Sequence, residues 1–204
     1  MRVLYVTANP KKEEQSYGLR LGGHFLDSLQ TSFPEAEVDV LDLFQVPLPL
    51  LGEGELAAWE RRSEETVTNT WVEQFLSADK VVFVTPLWNM GVPSPVKAYI
   101  DQLILPGQTF TFDDTGIRGL LQGREIVHLQ SRGGVYSSGK MAAWEHGDSY
   151  IRTIFALTGA SVESIIVEGT STYPDEAEDR LEEACLSVDA LVHRWKEEVG
   201  PGSV

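Results

Sequence analysis

Side chains that could carry chemistry by themselves are sparse in this chain of 204 residues. Its four histidines, His24, His128, His146 and His193, are scattered without metal-ligand spacing, so no metal site is expected. No Gly-x-Ser-x-Gly elbow is present for a nucleophilic serine. Cys185 falls within the apolar stripe of the last predicted helix and reads as a buried core residue. His128 falls inside a strand and reads as a satisfied core histidine. His146, in a long loop before a helix, is the one histidine placed within range of a ligand. No acid–base pair stands out. That pattern suits a cofactor that brings its own reactivity and asks the protein for position and electrostatics.

Three short stretches could position such a cofactor. In Pro86-Leu87-Trp88-Asn89-Met90-Gly91, apolar and aromatic residues fill a loop where polarity is the ordinary choice. A flat aromatic ligand lying across it explains the composition. Ser131-Arg132-Gly133-Gly134 follows another strand, and two adjacent glycines let backbone approach a ligand closely and offer N–H donors. Asn9 and Ser16-Tyr17-Gly18 precede a helix for which Ser16 is the expected N-cap. A helix start with free N–H groups makes an anion site. An ordinary capped helix after an ordinary turn explains this last segment equally well.

The elements that must hold these loops are legible from hydrophobic periodicity. Strands are predicted at Val3 to Val6, Glu37 to Leu43, Lys80 to Thr85, Glu125 to Gln130 and Val162 to Val167. Helices are predicted after Ser16, over Glu55 to Phe75, through Val96 to Leu103, around Ile151 to Thr158, and from near Pro174. The first is expected to bury Leu19, Gly22, Leu26 and Leu29 on one stripe, with Leu21 and Phe25 beside it. The second carries a charged middle, Arg61 to Glu65. Between the third and fourth strands, Pro106 to Gly116 alternates Thr with Phe and reads as an extended excursion. It places Phe110 and Phe112 on one side as substrate-pocket or subunit-contact candidates. Five alternating strands and helices predict an α/β fold of the flavodoxin-like kind, a three-layer sandwich around a parallel sheet of order 2-1-3-4-5. That order brings the carboxyl ends of strands one, three and four, and so all three loops, to one edge.

Composition narrows the function classes. A formal charge of −15 argues against nucleic acid or an anionic membrane as the main partner, and serves solubility. One cysteine excludes an intrachain disulfide framework and suits a reducing cytoplasm. No apolar run approaches the roughly 20 residues of a membrane span. The amino terminus begins as a strand rather than a signal peptide. One domain over residues 1–204 is expected, with 200–204 frayed. A phosphoacceptor receiver is excluded because Thr85-Pro86 stand where its aspartate is needed.

Three segments carry a resemblance: PLWNMGVPSPVKAYID (Pro86 to Asp101), PGQTFTFDDTGIRGLLQGR (Pro106 to Arg124) and QSRGG (Gln130 to Gly134). With NPKKEEQSYGLRLGGHFL at the amino terminus, they resemble the FMN-dependent NADH-azoreductases among the flavodoxin-like quinone reductases. The resemblance implies FMN, its phosphate held by Asn9, Ser16, Tyr17 and Gly18. Leu87, Trp88, Asn89 and Met90 would lie along the ring and ribityl chain, and Ser131, Arg132, Gly133 and Gly134 would border the other edge. Asn9 and Gly18 stand where many members have serine, Trp88 where many have tyrosine. The family implies a homodimer with the site at its interface, NADH or NADPH as donor, and a quinone or azo acceptor reduced by a ping-pong exchange. It implies no protein residue as an essential acid or base. An electron carrier for a protein partner and a cofactor-less binding module are the competing readings.

Overall fold

The computed structural model describes residues 1–60, 68–114 and 116–199. The chain opens with strand β1 (Arg2–Thr7), helix α1 (Tyr17–Ser32) and strand β2 (Glu37–Asp42). Helices α2 (Glu53–Glu60) and α3 (Thr70–Ser77) lead to β3 (Lys80–Pro86) and α4 (Ser94–Leu103). A hairpin, β4 (Phe110–Asp113) with β5 (Gly116–Gly119), precedes β6 (Glu125–Ser131). Helix α5 (Asp148–Leu157), strand β7 (Ser161–Val167) and helix α6 (Ala177–Val199) complete it.

The main sheet is parallel throughout, in the order β2-β1-β3-β6-β7. Counted within this sheet, that is the expected 2-1-3-4-5. Alternation along each strand splits the core into two layers. Val3, Tyr5, Val82, Val84, Val127 and Leu129 face α1 and α6, where Phe25 and Trp195 pack edge to face. Leu4, Val6, Val81, Phe83 and Ile126 face the other side, with Phe75, Tyr99 and Phe155. Each fully buried Phe or Leu contributes roughly 1.5–3 kcal/mol, so the two layers together fix which edge of the sheet carries the loops.

Several expectations need correction. The apolar stripe of α1 is Gly18, Leu21, Gly22, Phe25 and Leu29, while Leu19 and Leu26 are only partly buried on its flank. Glu55 to Phe75 is not one helix. Asn69 has extended backbone (φ −150°), and its side chain accepts from Trp71 N and Val72 N, starting α3 afresh. The charged stretch Arg61 to Glu65 lies outside the described residues, as does the 200–204 tail. Cys185 packs beside the α1–α6 layer but is partly rather than fully buried, and burial pushes its thiol pKa up. The Thr–Phe excursion is an antiparallel hairpin, in which Phe110 pairs with Gly119 and Phe112 with Ile117.

Candidate functional site

Strand ends place the loops. Tyr17 begins α1 behind Ser16, whose Oγ accepts from Leu19 N at 3.2 Å and from Asn9 Nδ2 at 2.9 Å. With both acceptor positions used, the Ser16 hydroxyl proton is free to be donated. Asn9 Oδ1 accepts from Lys11 N, which shapes the turn into α1. The Tyr17 and Gly18 N–H groups have no acceptor among the described residues. They point out of the first turn of a 16-residue helix, where the dipole favours an anion.

The loop after β3 is held more tightly than its composition suggests. Trp88 and Gly91 exchange two backbone hydrogen bonds of 3.0 Å around Asn89 and Met90. Both central residues have positive φ, 49° and 67°, which matches a type I′ turn. For methionine this conformation costs about 1–2 kcal/mol, and strain of that size concentrates at functional loops. Leu87 N donates to Ser131 O at 2.9 Å, extending the β3–β6 ladder beyond Pro86, and His146 N donates to Met90 O at 2.8 Å. His146 therefore meets this loop through its backbone; its side chain is exposed.

Beneath this loop lies a buried polar chain. Thr85 Oγ1 and His128 Nε2 are 2.9 Å apart, and His128 Nδ1 is 2.8 Å from Asp148 Oδ1. Arg152 Nε donates to Asp148 Oδ2 at 2.7 Å, and the Ser164 hydroxyl donates to Asp148 as well. Burial works to raise the Asp148 pKa, but hydrogen bonds from His128, Ser164 and Arg152 outweigh it and hold the carboxyl well below the usual range. His128 is thus the satisfied core histidine expected of a strand interior.

The Ser131–Gly134 loop is laced to the segment after β7. Gly133 O accepts from Ser171 N (2.9 Å) and Thr172 N (3.0 Å), and Gly134 O accepts from Gly169 N (3.0 Å). Their carbonyls are thereby occupied, while the Gly133 and Gly134 N–H groups have no acceptor among the described residues.

These loops enclose a cleft of about 280 Å³. Asn9, Ser16 and Tyr17 line one end, Leu87 and Trp88 the floor, and Ser131, Arg132 and Gly133 the far wall. Gly18, Asn89, Met90 and Gly134 flank it without lining it. Phe110 and Phe112 do not reach it within one chain. Their rings pack edge to face, 5.5 Å apart, on the hairpin. Arg132 is the charged residue of the far wall. It is buried and engaged with Gln130, Glu145 and Glu168, so Arg132 borders the cleft without a free charge.

Five further lining residues were not predicted as site residues: Lys11, Gln15, Pro86, Thr170 and Ser171. The last two follow β7, the neighbour of β6. The same sheet order that selected strands one, three and four points to them. Lys11 is a lining cation with no carboxylate partner among the described residues. A phosphate therefore meets a lysine, a hydroxyl donor and two N–H groups at one end, and apolar surface beyond. The residues present fit FMN. A larger groove of about 500 Å³ between β7 and α6 is lined by Glu163, Glu168 and Glu183 with Arg180, and its carboxylates disfavour a phosphate.

A family model described as flavodoxin-like fold matches residues 1–192. The chain is 35% identical to FMN-dependent NADH:quinone oxidoreductase 3 of Bacillus anthracis, over 95% of this chain and 99% of that one. It belongs to this flavodoxin-like family. It is also 40% identical to an FMN-dependent NADH:quinone oxidoreductase of Staphylococcus aureus, over 87% of this chain and 91% of the other. Among solved structures, an azoreductase from Bacillus anthracis superposes with a TM-score of 0.88 at 31% identity, covering 95% of this chain and 99% of that one. Members of the family thus share the whole architecture with this chain, and the hairpin and all three cleft loops fall within the matched residues.

Proposed function

We propose that this protein is an FMN-dependent NADH:quinone oxidoreductase that also reduces azo compounds. The observation that carries this reading is the convergence, at one end of a cleft floored by Leu87 and Trp88, of N–H donors and a lysine that have no partner among the described residues. Its relatives bear names of that activity. FMN, when bound here, would supply the two-electron chemistry that links a nicotinamide donor to a quinone or azo acceptor in alternation.

The residues of this chain bind and orient. Lys11, the Ser16 hydroxyl and the Tyr17 and Gly18 N–H groups hold the phosphate, with Asn9 fixing Ser16. Leu87 and Trp88 support the ring, and the Asn89–Met90 turn closes one side of it. The Gly133 and Gly134 N–H groups would stabilise negative charge along the ring's far edge. No side chain of the cleft is assigned a proton transfer, so protons come from solvent. Buried Asp148 and His128 are occupied with each other and serve the floor.

The competent unit is a homodimer. Thr109, fully buried, anchors the base of the hairpin: its Oγ1 donates to Leu103 O at 2.9 Å. Gly119 docks against the Thr158 backbone, where an added Cβ would come within 2.2 Å. Phe112 and Ile117, paired across the hairpin, are 50% and 53% exposed. An anchored hairpin ending in paired apolar residues suits a subunit contact, with Phe110 and Phe112 completing the partner's substrate pocket. Among the described residues no helix is long and apolar enough to cross a membrane. The cytoplasm, rich in NADH, is the fitting compartment.

Purified apoprotein titrated with FMN and with riboflavin tests the reading. FMN binding at least about tenfold tighter than riboflavin, with NADH-dependent quinone turnover, is expected. Equal affinity for the two would remove the phosphate site, and FMN binding without turnover would leave an electron carrier.

A further inference from the structure

Between β6 and α5 runs a segment, residues 133–147, that starts at the cleft-lining Gly133 and carries Tyr136, Met141 and Trp144. A Cβ added at Gly134 would lie 3.0 Å from the Tyr136 ring and 3.4 Å from Met141 Cε, so both side chains fold onto that glycine. Trp144 is 53% exposed beyond them. The segment contains only a short 3₁₀ stretch, Gly139–Trp144, and needs fastening from outside.

Two carboxylates fasten it, one at each end. Glu168 accepts from Tyr136 N (2.8 Å), Ser137 N (3.1 Å) and the Ser137 hydroxyl. Glu145 accepts from Gly147 N (2.8 Å), Asp148 N (2.8 Å) and Ser149 N (3.0 Å), capping α5. One buried arginine joins the two: Arg132 Nη2 lies 3.4 Å from Glu145 and Nη1 lies 3.6 Å from Glu168. Arg132 Nε donates to Gln130 Oε1 at 2.6 Å, which fixes the guanidinium to the end of β6. The same segment is tied to the ring-side turn by the His146–Met90 bond.

We propose that Arg132 is a positioning residue that sets the substrate entrance by clamping segment 133–147 through Glu145 and Glu168. The proposal rests on the oxidoreductase reading for its kinetic consequence, not for the clamp itself. Without Arg132, two carboxylates share a poorly solvated space with no counter-charge. Their side chains are 10% and 15% exposed, so they relieve this by swinging toward water. Each carboxylate then releases the backbone N–H groups it holds. The segment carrying Tyr136, Met141 and Trp144 loosens, while the phosphate end, built from Lys11 and the start of α1, is untouched.

Arg132→Met tests this by amide hydrogen exchange on the apoprotein together with KM and kcat. Exchange across 135–147 is expected to accelerate at least about tenfold, with α1 and β3 as protected as before. KM for a quinone should rise about tenfold, with kcat falling by much less than kcat/KM. The triple variant Arg132→Met, Glu145→Gln, Glu168→Gln removes the repulsion and should exchange more slowly than Arg132→Met, though still faster than the wild type, since each amide keeps only one acceptor oxygen. Should Arg132→Met fail to fold, Glu168→Gln alone must loosen Tyr136 and Ser137, and Glu145→Gln alone the start of α5. Unchanged exchange in 135–147, uniform loss of protection including α1 and β3, or kcat falling as far as kcat/KM would overturn the proposal. A wild-type protein that binds no FMN would sink the functional reading, yet the apoprotein exchange would still decide the clamp.

Discussion

Gly18→Ala probes whether the phosphate end and the far wall of the cleft are one machine. Gly18 lies in the first turn of α1 with ordinary helical backbone, so alanine carries no conformational penalty and gains up to about 1 kcal/mol of helix propensity. Its Cβ, however, would lie 2.8 Å from Ser131 Oγ and 3.3 Å from Ser131 Cβ. The oxygen contact is about 0.6 Å short of ordinary separation, so either α1 retreats or Ser131 turns its hydroxyl. Both residues border the cleft, and either adjustment moves a donor. Overpacking of this kind costs about 1–3 kcal/mol, which propensity partly offsets in the fold but not at the ligand. The expected result is a small change in Tm and an FMN Kd raised about tenfold, equal to about 1.4 kcal/mol. Ser131→Ala in the same background removes the oxygen and should recover most of the affinity. Isothermal titration of the four proteins in the cycle gives the coupling directly. Wild-type affinity in Gly18→Ala, or additive losses in the double variant, would refute the steric argument.

Three further outcomes follow from other parts of the structure. Lys11→Ala should weaken FMN about fivefold, roughly 1 kcal/mol, and flatten the salt dependence of binding measured by fluorescence titration. Asp148→Asn should destabilise the protein at neutral pH by roughly 2–3 kcal/mol in urea denaturation. Because the Asp148 pKa is lowered in the fold, its contribution is complete above the unfolded carboxyl pKa of about 4 and is lost as pH falls below it, so the two unfolding curves should converge in acid. Phe112→Asp together with Ile117→Asp should yield a monomer by sedimentation. Turnover should fall with it, while the far-UV circular dichroism stays unchanged.

Much of this architecture was legible because the buried strands announce themselves. Val81-Val82-Phe83-Val84 is apolar on both faces, and Ser16 and Asn9 are residue types that cap and turn. The convergence of three loops followed from strand order alone. What escaped the sequence depends on contacts between distant segments. Gly116-Ile117-Arg118-Gly119 has weak strand character, and pairs with Phe110–Asp113 because Gly119 must press on the Thr158 backbone. Asn69 was overlooked as a helix start because apolar spacing continues on either side of it. The sequence does not show how the Arg132 guanidinium is engaged, because nothing in its neighbourhood announces Glu145 or Glu168 as partners. Thr170 and Ser171 are a case of a rule applied too narrowly, since β7 abuts β6 in the expected order.

The cleft between Lys11 and Gly133 is proposed to hold FMN where both a nicotinamide and a quinone can reach it. Anaerobic stopped-flow spectroscopy of the FMN-loaded protein tests it most directly. NADH alone should bleach the flavin's visible absorbance, and a quinone, added after the nicotinamide has been removed, should restore it in full. A bound flavin that NADH leaves oxidised, or one that is bleached but returns only with oxygen, would contradict it.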